Sequence, residues 1–275
     1  MFYKVDIRTR NGTLLTLSVE DISNGYLIKD IHGLDPVDAA IVTSSFAQLD
    51  GVQYQASSRG ARNIVFKLGY EPDYVTTTVA SLRARLYSFF MPKSFVKMRF
   101  YDDLGRTVDT SGYIETMESP LFSQDPEAVV SIICTDPDFI DIDPSTFSGN
   151  STSASTWANL NYEGTVDIGF VLELNVNRTM TTFSLKRQLT DGTINTLDFV
   201  SPTNLLSGDV VRISTVPGNK FARLKRGSVE TPILYSVSPQ STWPFLVPGI
   251  NYMRVEAAGA AVPYLIKYTK RYGGL

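Results

Sequence analysis

Very few side chains in this sequence have the chemistry of a catalytic or metal site. The 275 residues include one cysteine, Cys134, and one histidine, His32, so a cysteine nucleophile would have a single candidate base. Cys134 closes an apolar segment at 128–134, where it alternates with Ile132, and this pattern favours a small buried core residue. One cysteine and one histidine are also too few for a zinc site. We predict no catalytic residue, no metal and no other cofactor.

Four aspartates lie close together in the sequence: Asp136, Asp138, Asp141 and Asp143. Alternating carboxylates on a loop can bind calcium. This segment lacks the central glycine and the distal glutamate of an EF-hand loop, so we favour a solvated loop and leave ion binding open.

Two tryptophans, Trp157 and Trp243, could stack on sugars, since aromatic rings on a sandwich face or loop often do so. Trp243 lies in the segment TWPF at 242–245, where packing in a core or an interface is the default interpretation. The sequence contains no phosphate-binding loop and no dinucleotide fingerprint.

The charge balance argues against several classes of partner. With 25 basic and 28 acidic residues, the net charge is −3, so nothing favours nucleic acid. A basic interval at 83–99 fits a solvated face or a subunit contact. The first six residues alternate and carry charges, so we expect no signal peptide, and no stretch has the length for membrane insertion. We expect synthesis in a cytoplasm.

The elements that must position these residues are mostly β-strands. Segments 2–8 and 14–19 alternate around an Asn-Gly turn and predict an opening hairpin, and segments 95–101, 106–111 and 112–118 continue the pattern. One amphipathic helix is predicted at about 75–90, capped by Thr76, Thr77 or Thr78 and stopped by Pro92.

A polar run at 144–157 predicts a linker and the first loop of a second domain. Short alternating strands with Gly, Asn and Asp turns then continue to the end of the chain, as in a β-sandwich or jelly roll. We therefore predict an all-β protein with one helix and two domains, 1–143 and 144–275.

An ordered set of short segments resembles one family. It comprises GLDP at 33–36, DGVQYQ at 50–55, RGARNI at 59–64, GYIE at 112–115, CTDPDF at 134–139 and WPFLVPGIN at 243–251. Their order is similar to that of the distal tail proteins, called Dit or baseplate hub-ring proteins, of long non-contractile-tailed bacteriophages. The resemblance covers most of the chain.

The resemblance implies a structural virion protein of the distal tail. It implies an N-terminal β-sandwich that forms a homohexameric ring and a C-terminal galectin-like sandwich. The implied partners are other copies of the chain, the tail tube protein, the tip or hub protein, the tape measure and receptor-binding proteins. The matching positions that we expect to be structural anchors are Cys134, Asp136, Pro137, Phe139, Trp243, Pro244, Gly249 and Asn251. The alternative is a carbohydrate-binding adhesin that recognises host glycans.

Overall fold

The chain divides into two compact units in a computed structural model that describes residues 2–47, 50–103, 105–122 and 124–275. The first unit contains Met1–Ile142 and Tyr272–Leu275, and the second contains Asp143–Arg271. In the described ranges, no helix has both the length and the apolar character needed to cross a membrane.

The first unit is built from strands and one α-helix. In chain order its elements are β1 (Phe2–Thr9), β2 (Leu14–Ser18), β3 (Tyr26–His32), β4 (Ala39–Ser44), β5 (Gln53–Arg59), β6 (Arg62–Tyr70), α1 (Val79–Phe89), β7 (Phe95–Asp102), β8 (Thr107–Glu118), β9 (Glu127–Cys134) and the start of β10 (Phe139–Asn150). The predicted hairpin is β1–β2, whose turn residue Gly12 has a φ of 84°. The predicted strands 106–111 and 112–118 form the single strand β8.

Strand β8 joins two halves of the first unit's sheet. Its first part pairs with β7, which pairs with β1 and then β2. Its second part pairs with β9 after an irregularity between Ile114 and Thr116, and β9 pairs with β6 and then β3. Side chains from both halves form one core, in which Phe66 stacks on Phe100 at 6.4 Å between ring centroids.

Helix α1 covers this core with the buried side chains of Leu82, Leu86 and Phe89. It begins four residues later than the predicted start at 75. Thr78 has an extended backbone, with φ −128° and ψ 161°, and as the N-cap it forms a reciprocal capping box with Ser81.

The second unit is a two-sheet β-structure. It contains the rest of β10, then β11 (Ala158–Tyr162), β12 (Val171–Asn175), β13 (Met180–Gln188), β14 (Ile194–Leu205), β15 (Val210–Ser214), β16 (Phe221–Arg226), β17 (Val229–Pro232), the 3-10 turn η1 (Leu234–Ser236), β18 (Gly249–Glu256) and β19 (Pro263–Tyr272). One sheet has the order β11-β18-β13-β14, and β17-β16-β15-β12-β19 follow one another in the other. A core of 25 buried residues fills this unit.

The prediction of an all-β protein with one helix is confirmed for the described residues. The prediction of a linker at 144–157 is wrong in its first half, because β10 continues as a strand to Asn150. Alternate residues of this strand are partly buried, so its polar composition reflects a half-exposed strand. The last four residues, predicted within 144–275, lie with the first unit.

Candidate assembly surface

The most exposed element of the first unit is the hairpin formed by β4 and β5. These strands pair only with each other in the described structure and form a separate two-stranded sheet. Every strand residue except Ser44 is exposed, including Ile41 at 65% and Tyr54 at 61%. Val42, Phe46 and Val52 are also more than half exposed.

An isolated two-stranded hairpin has marginal stability in water, and a free strand edge invites pairing with another chain. Proteins usually protect such edges with charged side chains, especially lysine, or with proline. Residues 39–58 contain a single charged residue, Asp50, and no proline. Because Ile41 and Val42 are successive strand residues, both faces of the hairpin expose apolar side chains. The hairpin therefore has the properties of an arm that is covered in an assembly.

The base of the hairpin is fixed by two arginines. Arg59 binds Asp138 through both guanidinium nitrogens, at 2.5 and 3.2 Å. Arg62 is fully buried and donates to the backbone carbonyls of Pro137, Gly33, Asp35 and Gly273. Its guanidinium also lies 4.3 Å from the centre of the Phe139 ring. Burial lowers the pKa of Arg62, but its acceptors satisfy the buried donors.

Four predicted anchors surround this arginine. Cys134 ends β9 opposite Arg62 and is fully buried, and burial raises the pKa of its thiol. Asp136 accepts a hydrogen bond from the backbone of Asp138 at 3.1 Å. Pro137 supplies a carbonyl to Arg62, and Phe139 packs edge-on against Phe100. The segment 134–139 is thus a packed turn that the Arg62 side chain holds.

The structure does not combine Cys134 and His32 into a nucleophile–base pair. Cys134 is buried, whereas His32 is exposed and lies 3.0 Å from Asp30. Within the described ranges, no three His, Cys, Asp or Glu side chains are grouped so that they could hold a metal ion. Of the four clustered aspartates, Asp138 is buried and has Arg59 as its counterion.

The predicted anchors of the second unit lie in the segment 242–245, which we call the strap, and in the turn that leads into β18. Trp243 is half-buried against the core, and Lys220 lies 5.3 Å from the centre of its ring. Pro244 is buried. Asn251 is 1% exposed and closes the turn before β18, accepting from the Val247 N–H and donating to the Val247 and Gly249 carbonyls. Gly249 has a φ of 90°, which favours glycine at this position.

The two tryptophans have different surroundings. Trp243 lines a cavity of about 320 Å³ together with Lys220 and Phe245. A groove of about 640 Å³ in the second unit has Ser184, Asp198 and Glu256 in its lining but no tryptophan. Trp157 is covered by the guanidinium of Arg254, which lies 4.4 Å from the ring centre. Stacking of a sugar on that face would require Arg254 to move.

Two features of this surface are not predicted by the sequence. The segments DGVQYQ and RGARNI give no hairpin signal, because the strand AAIVTS lacks the strict alternation of a half-buried strand. Arg62 is not predicted as buried either, because an arginine is rarely fully buried unless it is paired, and its partners are distant in the sequence.

Comparison with solved structures supports the fold along the whole chain. The model is similar to the crystal structure of the Dit protein (gp 19.1) of phage SPP1, with a TM-score of 0.64 and 14% identity, covering 96% of this chain and 98% of that chain. A chain of the activated phage P2 baseplate gives a TM-score of 0.42 at 11% identity, covering 97% of each chain, a likeness too low to carry an argument. No curated protein matches the chain.

The family model of the siphovirus-type tail component, C-terminal domain, matches residues 163–272. The chain is therefore a structural component of a bacteriophage tail. The match within the second unit agrees with the fold of the whole chain, which is similar to that of a Dit distal tail protein over 96% of its length.

Proposed function

We propose that the chain assembles through its first unit into a homohexameric ring at the distal end of the tail. The ring joins the tail tube protein to the tip or hub protein and encloses the end of the tape measure. Receptor-binding proteins dock on the second unit, whose compact sandwich is a galectin-like platform. The protein acts by assembly, without catalysis, nucleic-acid binding or membrane insertion.

The observation that carries this proposal is the exposed hairpin β4–β5. The free energy of burying its apolar side chains is unused in the isolated chain, at roughly 1.5–3 kcal/mol for each large side chain. The arm nevertheless has a firm base, because Arg59 and Arg62 hold it to the turn at 134–139. Such an arm supports self-association into a closed assembly, since closure covers every copy of it.

The alternative function, an adhesin that stacks glycans on Trp157 or Trp243, has less support. Arg254 covers one ring, and the other is half-buried against the core. We therefore give the second unit a docking role and assign no sugar to it.

Light scattering of the purified chain tests the ring. We expect a particle of six times the 30.4 kDa chain mass at tens of micromolar, and a ring in negative-stain images. The double variant Ile41→Ser, Val42→Ser should be monomeric and fully folded, because both side chains are exposed. The matched control Val200→Ser, Ile250→Ser changes two exposed side chains of the second unit and should still assemble. A wild-type chain that stays monomeric would contradict the proposal.

A further inference from the structure

A ring of more than two identical copies needs two different contact surfaces on each copy, because its contacts are head-to-tail. If the hairpin is one of these surfaces, the first unit must also carry the surface that receives it. This inference rests on the proposed function and identifies that receiving surface.

The first unit exposes a second set of large apolar side chains on two loops. The loop at 71–78 exposes Tyr74 at 77% and Val75 at 89%, and the residues that follow β8 include Leu121, exposed at 68%, and Phe122, exposed at 100%. We call these four residues the loop cluster. They are the most exposed large apolar side chains described in the first unit, and an exposed set of this kind marks an interaction site.

The two loops are neighbours, and hydrogen bonds join them near residues 119, 120 and 126. Tyr70 at the end of β6 donates its backbone N–H to Pro126 at 3.2 Å, so one loop leaves the sheet where the other enters it. The Tyr70 hydroxyl lies 2.9 Å from the Ser119 hydroxyl. From helix α1, Arg83 donates to Ser119 and to the Pro120 carbonyl, at 3.0 Å each.

Asp73 makes the first loop rigid. Its carboxylate accepts from the backbone N–H groups of Val75, Thr76 and Thr77 at 2.8–3.0 Å, and from both threonine hydroxyls. These bonds hold Tyr74 at a φ of 56°, which a tyrosine rarely adopts. Because the loop is already ordered, docking on it costs little further conformational entropy.

The loop cluster and the hairpin lie at opposite ends of β6. Strand β5 of the hairpin ends at Arg59, just before β6 begins at Arg62, whereas the loop at 71–78 follows the end of β6 at Tyr70. A copy therefore carries one apolar surface at each end of this strand. That placement suits head-to-tail contact and keeps the hairpin away from its own loop cluster.

The amount of apolar surface also favours pairing of these two sites. Together they contribute four aromatic side chains that are 55–100% exposed; since a fully covered ring buries about 150–250 Å², roughly 400–700 Å² of aromatic surface remains to be buried. The five exposed aliphatic side chains bring this toward the lower end of the ~1,200–2,000 Å² of a stable interface. Either surface against a polar partner would supply only part of that area.

We infer that the hairpin of one copy docks on the loop cluster of the next copy around the ring. The contact is apolar, and its receiving side is formed before assembly. The contact recurs identically at every subunit boundary.

Engineered cysteines test this contact cleanly, because the native Cys134 is fully buried. Four double variants combine Ile41→Cys or Tyr54→Cys with Val75→Cys or Phe122→Cys, and each is treated with a short bifunctional thiol reagent after assembly. We expect covalent multimers up to the hexamer in at least one of the four. Each single variant should give no covalent multimers, because a head-to-tail contact does not bring the same engineered cysteine of two copies together. The matched control Ile41→Cys, Val200→Cys should also give none.

A second measurement does not depend on the reach of the reagent. The variant Val75→Ser, Phe122→Ser should raise the concentration for half-assembly at least tenfold, with an unchanged melting temperature of the monomer. If Val75→Ser, Phe122→Ser assembles at the wild-type concentration and none of the four pairs gives a crosslink, the inference is wrong, whereas the proposed ring is unaffected. Absence of rings in the wild-type chain would instead overturn the proposed function.

Discussion

Arg62 donates a hydrogen bond to the backbone carbonyl of Gly273, a residue 211 positions later in the chain. The same guanidinium binds the carbonyls of Gly33, Asp35 and Pro137. One buried cation thus joins four separate segments of the first unit at the base of the hairpin.

Replacing Arg62 should destabilise the first unit more than replacing an exposed arginine. Arg62→Met keeps most of the volume but leaves four carbonyls without this donor, and we expect a loss of about 3–5 kcal/mol in the free energy of unfolding. Urea unfolding followed by fluorescence measures it. The control Arg10→Met, at an exposed position, should change stability by less than about 0.5 kcal/mol. Equal effects of the two variants would contradict the role given to Arg62.

The Cys134 thiol should be unreactive in the folded protein. Burial raises its pKa, so little thiolate forms near neutral pH, and the side chain is also inaccessible. A chromogenic disulfide reagent at pH 8 should react with one thiol per chain only after denaturant is added. Cys134→Ala should cost about 1–3 kcal/mol as a core truncation. Rapid labelling of the native chain would show that β9 opens locally.

The second unit should lose stability in acid through Asp209. This buried carboxylate binds Arg226 at 2.5 and 2.8 Å, and that ion pair lowers the pKa of Asp209. A lowered folded-state pKa adds stability that is fully present above the unfolded value of about 3.9 and disappears as the pH falls through the folded value. Asp209→Asn should therefore cost about 1.5–3 kcal/mol at pH 7 and progressively less below pH ~4.

Urea unfolding at pH 7 and at pH 3 measures this difference. Asp167→Asn is the matched control, because Asp167 is exposed. A gap between the wild type and Asp209→Asn that stays constant from pH 7 to pH 3 would show that the ion pair does not set the pH dependence.

Trp243→Ala distinguishes packing from sugar stacking at the strap. Because the indole packs half-buried against the core, we expect a loss of about 2–4 kcal/mol and a lower melting temperature. A thermal melt and a glycan array are run on the same variant. An unchanged melt together with the loss of a glycan signal present in the wild type would support the adhesin instead.

The sequence predicts well those elements whose side chains alternate between core and solvent. Strand β7 exposes Lys97 and buries Val96 and Met98, so its position could be recognised directly. The helix was predicted for the same reason, from its stripe of leucine and phenylalanine. Its start was misplaced because any of three successive threonines could cap it, and the capping box of Thr78 with Ser81 selects the last of them.

Features that depend on contacts distant in the sequence could not be predicted. The hairpin β4–β5 has no buried face in the single chain, so it lacks the pattern by which strands are recognised. The role of Arg62 depends on four carbonyls from three distant segments, which only the folded chain brings together. Strand β10 was not predicted beyond residue 143, because its serines and threonines lie on a half-exposed surface and resemble a loop in composition.

The return of the chain end to the first unit has an evolutionary consequence. The first unit surrounds the second in sequence, and the chain departs at Ile142 and re-enters at Tyr272. The two ends of this excursion are adjacent, since the Tyr272 hydroxyl lies 3.5 Å from the Asp141 carboxylate. An insert flanked by neighbouring ends can be exchanged for another module without disturbing its host. Recombination at these neighbouring ends replaces the second unit and leaves the first unit unchanged.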